Sequence, residues 1–272
     1  IIILSCNDRA RVHNIKAVKG ILDLSSGSSL TQTAVPLDGE WEFYWGRLLS
    51  PESFKSSTTP VPDGYFKVPL YWTSYDRNRF PAKGYATYRL TVKLPAPYEN
   101  LCISTPEIFT EYKLWINGLM INQRGSFDGG YVKFMKPDIF TFFSHSGTIE
   151  IVLQIKNFRH GNSGIGQSLF LGSPEIINSK HLKDSILEFI LVAICLFASF
   201  YHIILYTFRK AEKELLYFGL FCLAIALRTF LTGTTFISEI FPDLPFETGS
   251  RIATAIIPLS VSAFILFLYN FF

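Results

Sequence analysis

The sequence predicts an all-β jelly-roll sandwich followed by transmembrane α-helices, and three observations carry that expectation. Apolar and polar residues alternate with period two through much of residues 21–180. Pro, Gly and one Asn-Gly pair cut the same region into short segments. Beyond residue 184 the chain turns into apolar runs long enough to cross a bilayer.

The strand segments come first. Glu40-Trp-Glu-Phe-Tyr-Trp45 places Trp41, Phe43 and Trp45 on one face, opposite Glu42 and Tyr44. Tyr88 to Leu94 sets Tyr88, Leu90, Val92 and Leu94 against Arg89, Thr91 and Lys93. Ile149 to Lys156 repeats the pattern with Ile149, Ile151, Leu153 and Ile155. Such alternation means a sheet with one buried and one wet face. Between them, Glu111–Ile116 and Leu119–Gln123 flank Asn117-Gly118, a pair that tolerates positive φ at both turn positions and so marks a hairpin. Pro36, Pro51, Pro60, Pro62, Pro69, Pro81, Pro95, Pro97 and Pro106 break up the remainder. Many short strands with no helical periodicity argue for a sandwich.

The apolar runs follow. Ile186–Phe208 has only Glu188 and His202 as ionisable interruptions. At about 1.5 Å per residue, a helix of this length crosses a hydrocarbon core of about 30 Å. Leu215–Leu231 and Ile252–Phe272 are two further runs. Arg209-Lys-Ala-Glu-Lys-Glu214, between the first two, carries three basic residues, which marks a cytoplasmic loop and leaves the head outside. The link from Thr232 to Arg251, with Asp243 and Glu247, returns outward.

Composition limits the alternatives. A chain of 272 residues has room for one to two domains. The net charge of +3 is small and dispersed, with no polybasic stripe, so nucleic acid is not an expected partner. Four cysteines, Cys6, Cys102, Cys195 and Cys222, form no CxxC pair, which removes zinc-knuckle and redox motifs. A Cys6–Cys102 disulfide is left open. Ile1–Cys6 looks like the tail of a secretory signal, either an ordinary one or a lipoprotein signal with Cys6 as the lipidated residue. Residues 1–20 are accordingly assigned to a signal remnant or linker, 21–180 to the head, and 184–272 to the first three helices of a truncated bundle. The chain stops inside its third apolar run, at Tyr269–Phe272.

Motif order adds a resemblance. Leu37-Asp-Gly-Glu-Trp-Glu-Phe-Tyr-Trp-Gly46 resembles the opening of the galactose-binding-like jelly rolls found beside glycoside hydrolase family 2 catalytic domains. Val68–Trp72, Gly84–Leu90, Leu114–Gly118 and Ile149–Asn157 then follow in the matching order. Joined to membrane helices, residues 20–272 resemble the bacterial seven-transmembrane receptors with diverse intracellular signalling modules, the 7TM-DISM family. That resemblance implies an extracytoplasmic ligand-binding head, a helical transmitter and a cytoplasmic output such as a cyclase, kinase or phosphatase.

Candidate sites are weighed against packing. Aromatic faces stack on sugar rings, but they also dominate cores. Core is the favoured role for Trp41, Phe43 and Trp45. Trp115, on the face of Lys113, is a ligand platform or an edge-packing ring; Trp72, among Pro and Tyr residues, is open in the same way. Asn157-Phe-Arg-His-Gly-Asn-Ser-Gly-Ile-Gly166 follows the strongest strand. Its glycines permit close backbone approach, and Arg159, His160 and Asn162 supply donors and acceptors. The plain alternative is a long crossing between strands. Ser126–Gly130 is a second such loop.

Catalysis finds little purchase. Glu107, Glu111, Asp128 and Asp138 show no spacing that pairs two carboxylates, and no metal or cofactor motif occurs. No Gly-x-Ser-x-Gly elbow is present.

In the helices, Arg228 either snorkels to the interface or pairs with Glu188 near the same leaflet. Pro258 is expected to kink the third helix.

The function expected is a membrane signal receptor whose head binds a small-molecule or carbohydrate ligand, with a homodimer left open. The location expected is the inner membrane, with the head in the periplasm or outside the cell. The alternatives are a membrane-tethered carbohydrate-processing enzyme and a structural envelope-binding protein.

Overall fold

The computed structural model describes residues 15–25, 30–56, 59–106, 108, 111–125, 138–144, 146–158, 160–233 and 246–272. These divide at Lys180/His181 into two compact units.

Strands of the first unit, in chain order, are β1 (Ile21–Asp23), β2 (Val35–Pro36), β3 (Gly39–Trp45), β4 (Gly64–Val68), β5 (Leu70–Tyr71), β6 (Gly84–Lys93) and β7 (Tyr98–Thr105). They continue with β8 (Glu111–Ile116), β9 (Leu119–Arg124), β10 (Asp138–Ser144), β11 (Thr148–Asn157), β12 (Gly164–Ile165) and β13 (Phe170–Gly172). One sheet runs β4-β3-β6-β11-β8-β9, with β1 parallel to β6 where β3 ends; the other runs β10-β7-β13-β2. A two-residue pairing of β12 with β5 lies apart.

Period-two patterning sets the register. Leu90, Val92, Ile149, Ile151, Leu153 and Ile155 lie on the inner face of β6 and β11, which pair from Thr148↔Lys93 to Asn157↔Gly84. Leu101, Ile103, Leu169 and Leu171, from the second sheet and the residues before β13, meet them in a single core. Each fully buried aliphatic side chain contributes roughly 1.5–3 kcal/mol. Trp41 and Trp72 are wholly buried, and their indole N–H groups donate to the Leu37 and Pro81 carbonyls, both at 2.8 Å. Phe43 stacks on Phe66 at 3.9 Å and meets Tyr88 edge-on at 4.9 Å. The hairpin takes the form its sequence requires: Asn117 and Gly118 have φ of 51° and 83°. Asn117 Oδ1 then accepts from the Glu150 N–H at 2.9 Å, tying the turn to β11.

The head begins earlier than residue 21. Ala17 is buried and bridges Gly39, so the segment assigned to a leader or linker is partly a working piece of the sandwich. The outer face of the larger sheet is also less wet than its pattern implies. Tyr44, Val152 and half-buried Trp115 pack there under Leu49 and Phe54 of the following segment.

The helices are α1 (Pro174–Phe208), α2 (Lys213–Thr232) and α3 (Phe246–Phe271). Helix α1 starts ten residues before the expected boundary at 184, because Pro174 can open a helix without losing a hydrogen bond and Ser173 precedes it. Its first turn belongs to the head: Ile177 is buried, and its N–H donates to the Ser173 carbonyl at 3.0 Å. All three helices are long and apolar enough to cross a membrane. Small residues line their contacts, with Gly219, Cys222 and Ala226 buried on α2 and Ala253, Ser260 and Ala263 on α3. Phe218 meets Phe267 at 5.1 Å, and Phe221 meets Phe264 at 5.1 Å. Pro258 lies inside α3.

Candidate functional site

The loop after β11 is built around one amide. Asn157 is fully buried at the strand end, and its Nδ2 donates to the carbonyls of Ala82, His160 and Asn162 and to Ser163 Oγ. Ser163 is buried too, and its carbonyl accepts from the Trp72 N–H at 3.0 Å. Gly164 (φ +99°) packs against Trp72 and the Tyr88 hydroxyl, where any Cβ would come within 2.7 Å of that oxygen. The loop's polar groups are therefore largely spent inward. His160 Nδ1 accepts from the Asn162 N–H at 3.1 Å, and Asn162 itself is exposed. Arg159 lies outside the described residues, as do Cys6, Glu107, Asp128 and the Ser126–Gly130 loop.

The two tryptophans proposed as platforms separate. Trp72 has no exposed surface and presents no ring face to solvent; it belongs to the core with Trp45, 5.2 Å away and edge-on. Trp115 is half-buried in the outer-face cluster, so packing takes much of its ring. Beside that cluster, Arg89 is held between Glu42 at 3.1 Å and Glu150 at 2.7 Å, and lies over the Phe54 ring at 4.5 Å. Burial disfavours the Arg89 charge, yet the two carboxylates more than offset it and its pKa is raised. Burial, helped by the Glu42 carboxylate that its hydroxyl donates to, pushes the Tyr44 phenol well up. At the far end, Asp138 accepts from Tyr112 at 2.7 Å and Asn122 at 3.1 Å and pairs with Arg124 at 2.6 Å, pinning β10 to β8 and β9. These groups satisfy one another and are structural.

A different place on the head has unmet polar demand. A cleft of about 390 Å³ lies between the Lys16–Val18 segment and the Lys67–Pro69 turn, with Asp38 and Glu40 on its wall. Asp38 Oδ1 is buried and accepts no hydrogen bond. An orphaned buried acceptor costs about 1–3 kcal/mol, more when charged. The backbone around it is fixed: the Ala17 N–H donates to the Asp38 carbonyl at 2.7 Å, and the Glu40 N–H to the Ala17 carbonyl at 2.8 Å. Gly39 has φ +118°, and a Cβ there would fall 2.3 Å from the Ala17 nitrogen, so only glycine admits this approach. Tyr75 stacks on Phe66 at 3.9 Å and accepts from the Lys67 N–H. Burial raises its phenol pKa, the Lys67 N–H opposes that, and the nearby Glu40 charge adds to it.

Asp38 and Glu40 stand inside the Leu37–Gly46 motif, but nothing in that stretch says which side chains lack partners. Lys16 lay in the region assigned to leader or linker. The signal that could have flagged the place is Gly39 between two carboxylates, since a glycine there lets another backbone come close.

In the helical unit, Glu188 and Arg228 form no ion pair with each other. Arg228 is exposed, whereas the Glu188 carboxylate lies against Gly233, where a Cβ would come within 3.0 Å of Oε2. The His202 ring meets Phe218 edge-on at 4.6 Å, and its Nδ1 lies 2.8 Å from the Ala198 carbonyl.

Comparison with known proteins gives two results of different kinds. Residues 184–272 match the family model described as 7TM diverse intracellular signalling. Among solved structures, the chain is similar to a GH2 β-galacturonidase from Eisenbergiella tayi bound to galacturonate, at 12% identity and a TM-score of 0.36, covering 52% of this chain and 24% of that one. It is also similar to a β-glucuronidase from Ruminococcus gnavus in complex with N1-substituted uronic isofagomine, at 18% identity and a TM-score of 0.40, covering 53% of this chain and 30% of that one. The chain thus spans less than a third of the length of either. No curated protein matches it. Three helices of spanning length, together with a match of residues 184–272 to the model of the 7TM diverse intracellular signalling family, make this a membrane protein.

Proposed function

We propose that this chain is the sensing and membrane part of a bacterial signalling receptor. The head sits in the periplasm or outside the cell, binds a small carbohydrate, and acts by binding, not by catalysis. Ligand occupancy shifts the balance between helix arrangements by its differential affinity for them, and an intracellular module reads the result. One observation carries the reading: a sandwich with its own core passes, through Ser173 alone, from β13 into the helix that continues into the family-matched segment. The basic Arg209–Lys213 loop supports the orientation by the positive-inside rule.

Two measurements test it. In intact cells a membrane-impermeant maleimide is expected to label a cysteine placed at Asn162 and to spare one placed at Lys210; the reverse pattern overturns the orientation. Thermal shift of the detergent-solubilised chain against a panel of mono- and disaccharides is expected to show stabilisation by at least one sugar. No stabilisation by any of them overturns the carbohydrate reading, and turnover of an aryl glycoside favours the tethered hydrolase.

A further inference from the structure

We propose that the cleft walled by Asp38, Glu40, Lys16 and Lys67 is the head's ligand site, and that it takes a small hydroxylated carboxylate of the hexuronate class. The inference rests on the receptor reading for its ligand class and adds the place and the charge.

The acceptor side comes from Asp38 and Glu40. Asp38 Oδ1 is buried without a donor, although Gly39 and Ala17 fix the backbone so that the carboxylate stays in the cleft wall. Glu40 Oε2 accepts one bond, from the Lys19 N–H at 3.2 Å, and a carboxylate has room for several more. Two carboxylates with spare acceptor capacity suit vicinal hydroxyl groups, each of which donates one proton. Among the described residues Asp38 Oδ1 receives no such donor, and Glu40 receives only the one from Lys19.

The donor side comes from Lys16 and Lys67, both exposed and both lining the cleft. Among the described residues neither makes an ion pair, with Asp38, Glu40 or any other carboxylate. These two exposed ammonium groups, in no close ion pair among the described residues, can meet the negative charge of a ligand at the rim while Asp38 and Glu40 take its hydroxyl groups. Val18, Val68 and Pro69 supply the apolar part of the lining, against which the C–H face of a pyranose ring can rest. The volume of about 390 Å³ lies at the small end of the roughly 300–1,000 Å³ typical of small-molecule sites, which suits a single sugar ring better than a long chain.

The test is calorimetric titration of the whole chain in nanodiscs with D-glucuronate, D-glucose and L-alanine. Binding of D-glucuronate, weakened about tenfold or more by Asp38→Asn, is the expected result. Lys16→Gln with Lys67→Gln is expected to abolish the preference for D-glucuronate over D-glucose. The lysines are exposed, so this second variant reads the cleft even if Asp38→Asn lowers the yield of folded protein. Undiminished D-glucuronate binding in both variants, or none in the unmodified chain, overturns the proposal. D-glucose bound as tightly as D-glucuronate overturns the charge assignment, and L-alanine bound in its place overturns the sugar acid. In each of these cases a sugar that stabilises the chain at another site leaves the receptor reading standing.

Discussion

Asn157 and His160 hold each other across a tight turn: the His160 N–H donates to Asn157 Oδ1 at 3.0 Å, and Asn157 Nδ2 donates back to the His160 carbonyl at 2.9 Å. The same amide reaches Ala82, Asn162 and Ser163, so one side chain fastens the loop after β11 to the segment before β6.

Asn157→Ala removes every one of those bonds. A loss of about 2 kcal/mol is expected, because several hydrogen bonds of about 1 kcal/mol each go at once and the loop loses its anchor. In a head of this size that lowers Tm by roughly 5 °C, read by tryptophan fluorescence of the chain in detergent. His160→Ala, which keeps the backbone bonds, is expected to change Tm far less. Equal losses in the two variants would contradict the assignment of the anchor to Asn157.

Trp72 is a core residue, and Trp72→Ala is expected to cost about 3–5 kcal/mol. The cooperative melting of the head should weaken or vanish. A Trp72→Ala protein that melts normally and has lost only sugar binding would restore the platform role.

Acid sensitivity should centre on Asp63. Burial alone would raise its pKa, but the Arg47 guanidinium at 2.7 Å and the Trp45 N–H at 2.9 Å outweigh it and the carboxyl titrates below its ordinary value. A depressed pKa means stabilisation that is complete above the unfolded carboxyl pKa of about 4 and is lost as pH falls through the folded value. Tm measured from pH 7 downward should show unmodified chain and Asp63→Asn differing at neutral pH and converging below pH about 4. A gap that persists into strong acid would remove Asp63 from the account.

Helix packing depends on the small side of α2. A Cβ at Gly219 would lie 2.8 Å from Ile203 Cγ1 and 3.2 Å from the Ser199 carbonyl oxygen. Gly219→Val should therefore cost about 1–3 kcal/mol by overpacking, seen as lower Tm and loss of monodispersity in detergent. Arg228→Gln, at an exposed position with no bond to Glu188, is expected to leave both unchanged.

The inner-facing pattern of β3, β6 and β11 was legible because one face is fully buried, and Asn117-Gly118 announced its own turn. The outer face was not, since Tyr44, Thr87 and Val152 alternate like solvent-facing residues. Their cover comes from elsewhere in the chain: the Leu49 N–H donates to Thr87 Oγ1 at 2.9 Å, and that hydroxyl donates to the Arg47 carbonyl at 2.7 Å. Long-range contacts of this sort leave no periodic trace. The loop at 157–166 drew notice for its polar residues and glycines, yet the same features serve to fold it inward around Asn157. Conversely, Asp38 gained its importance from what does not reach it, which no local pattern records. Helix α1 was legible where it is apolar and hidden over its first ten residues, where Glu175, Lys180 and Lys183 mask it.

The parallel strand β1 does a job beyond its three residues. It takes over along β6 where β3 departs: the Thr91 N–H donates to the Gly20 carbonyl at 2.8 Å, and the Leu24 N–H to the Lys93 carbonyl at 2.9 Å. Trimming the chain back past Leu24 would leave the Thr91 N–H and the Lys93 carbonyl without these mates and empty the sockets filled by Ala17, Leu22 and Leu24. What remained would carry a raw border and an oily hollow, both invitations to self-association.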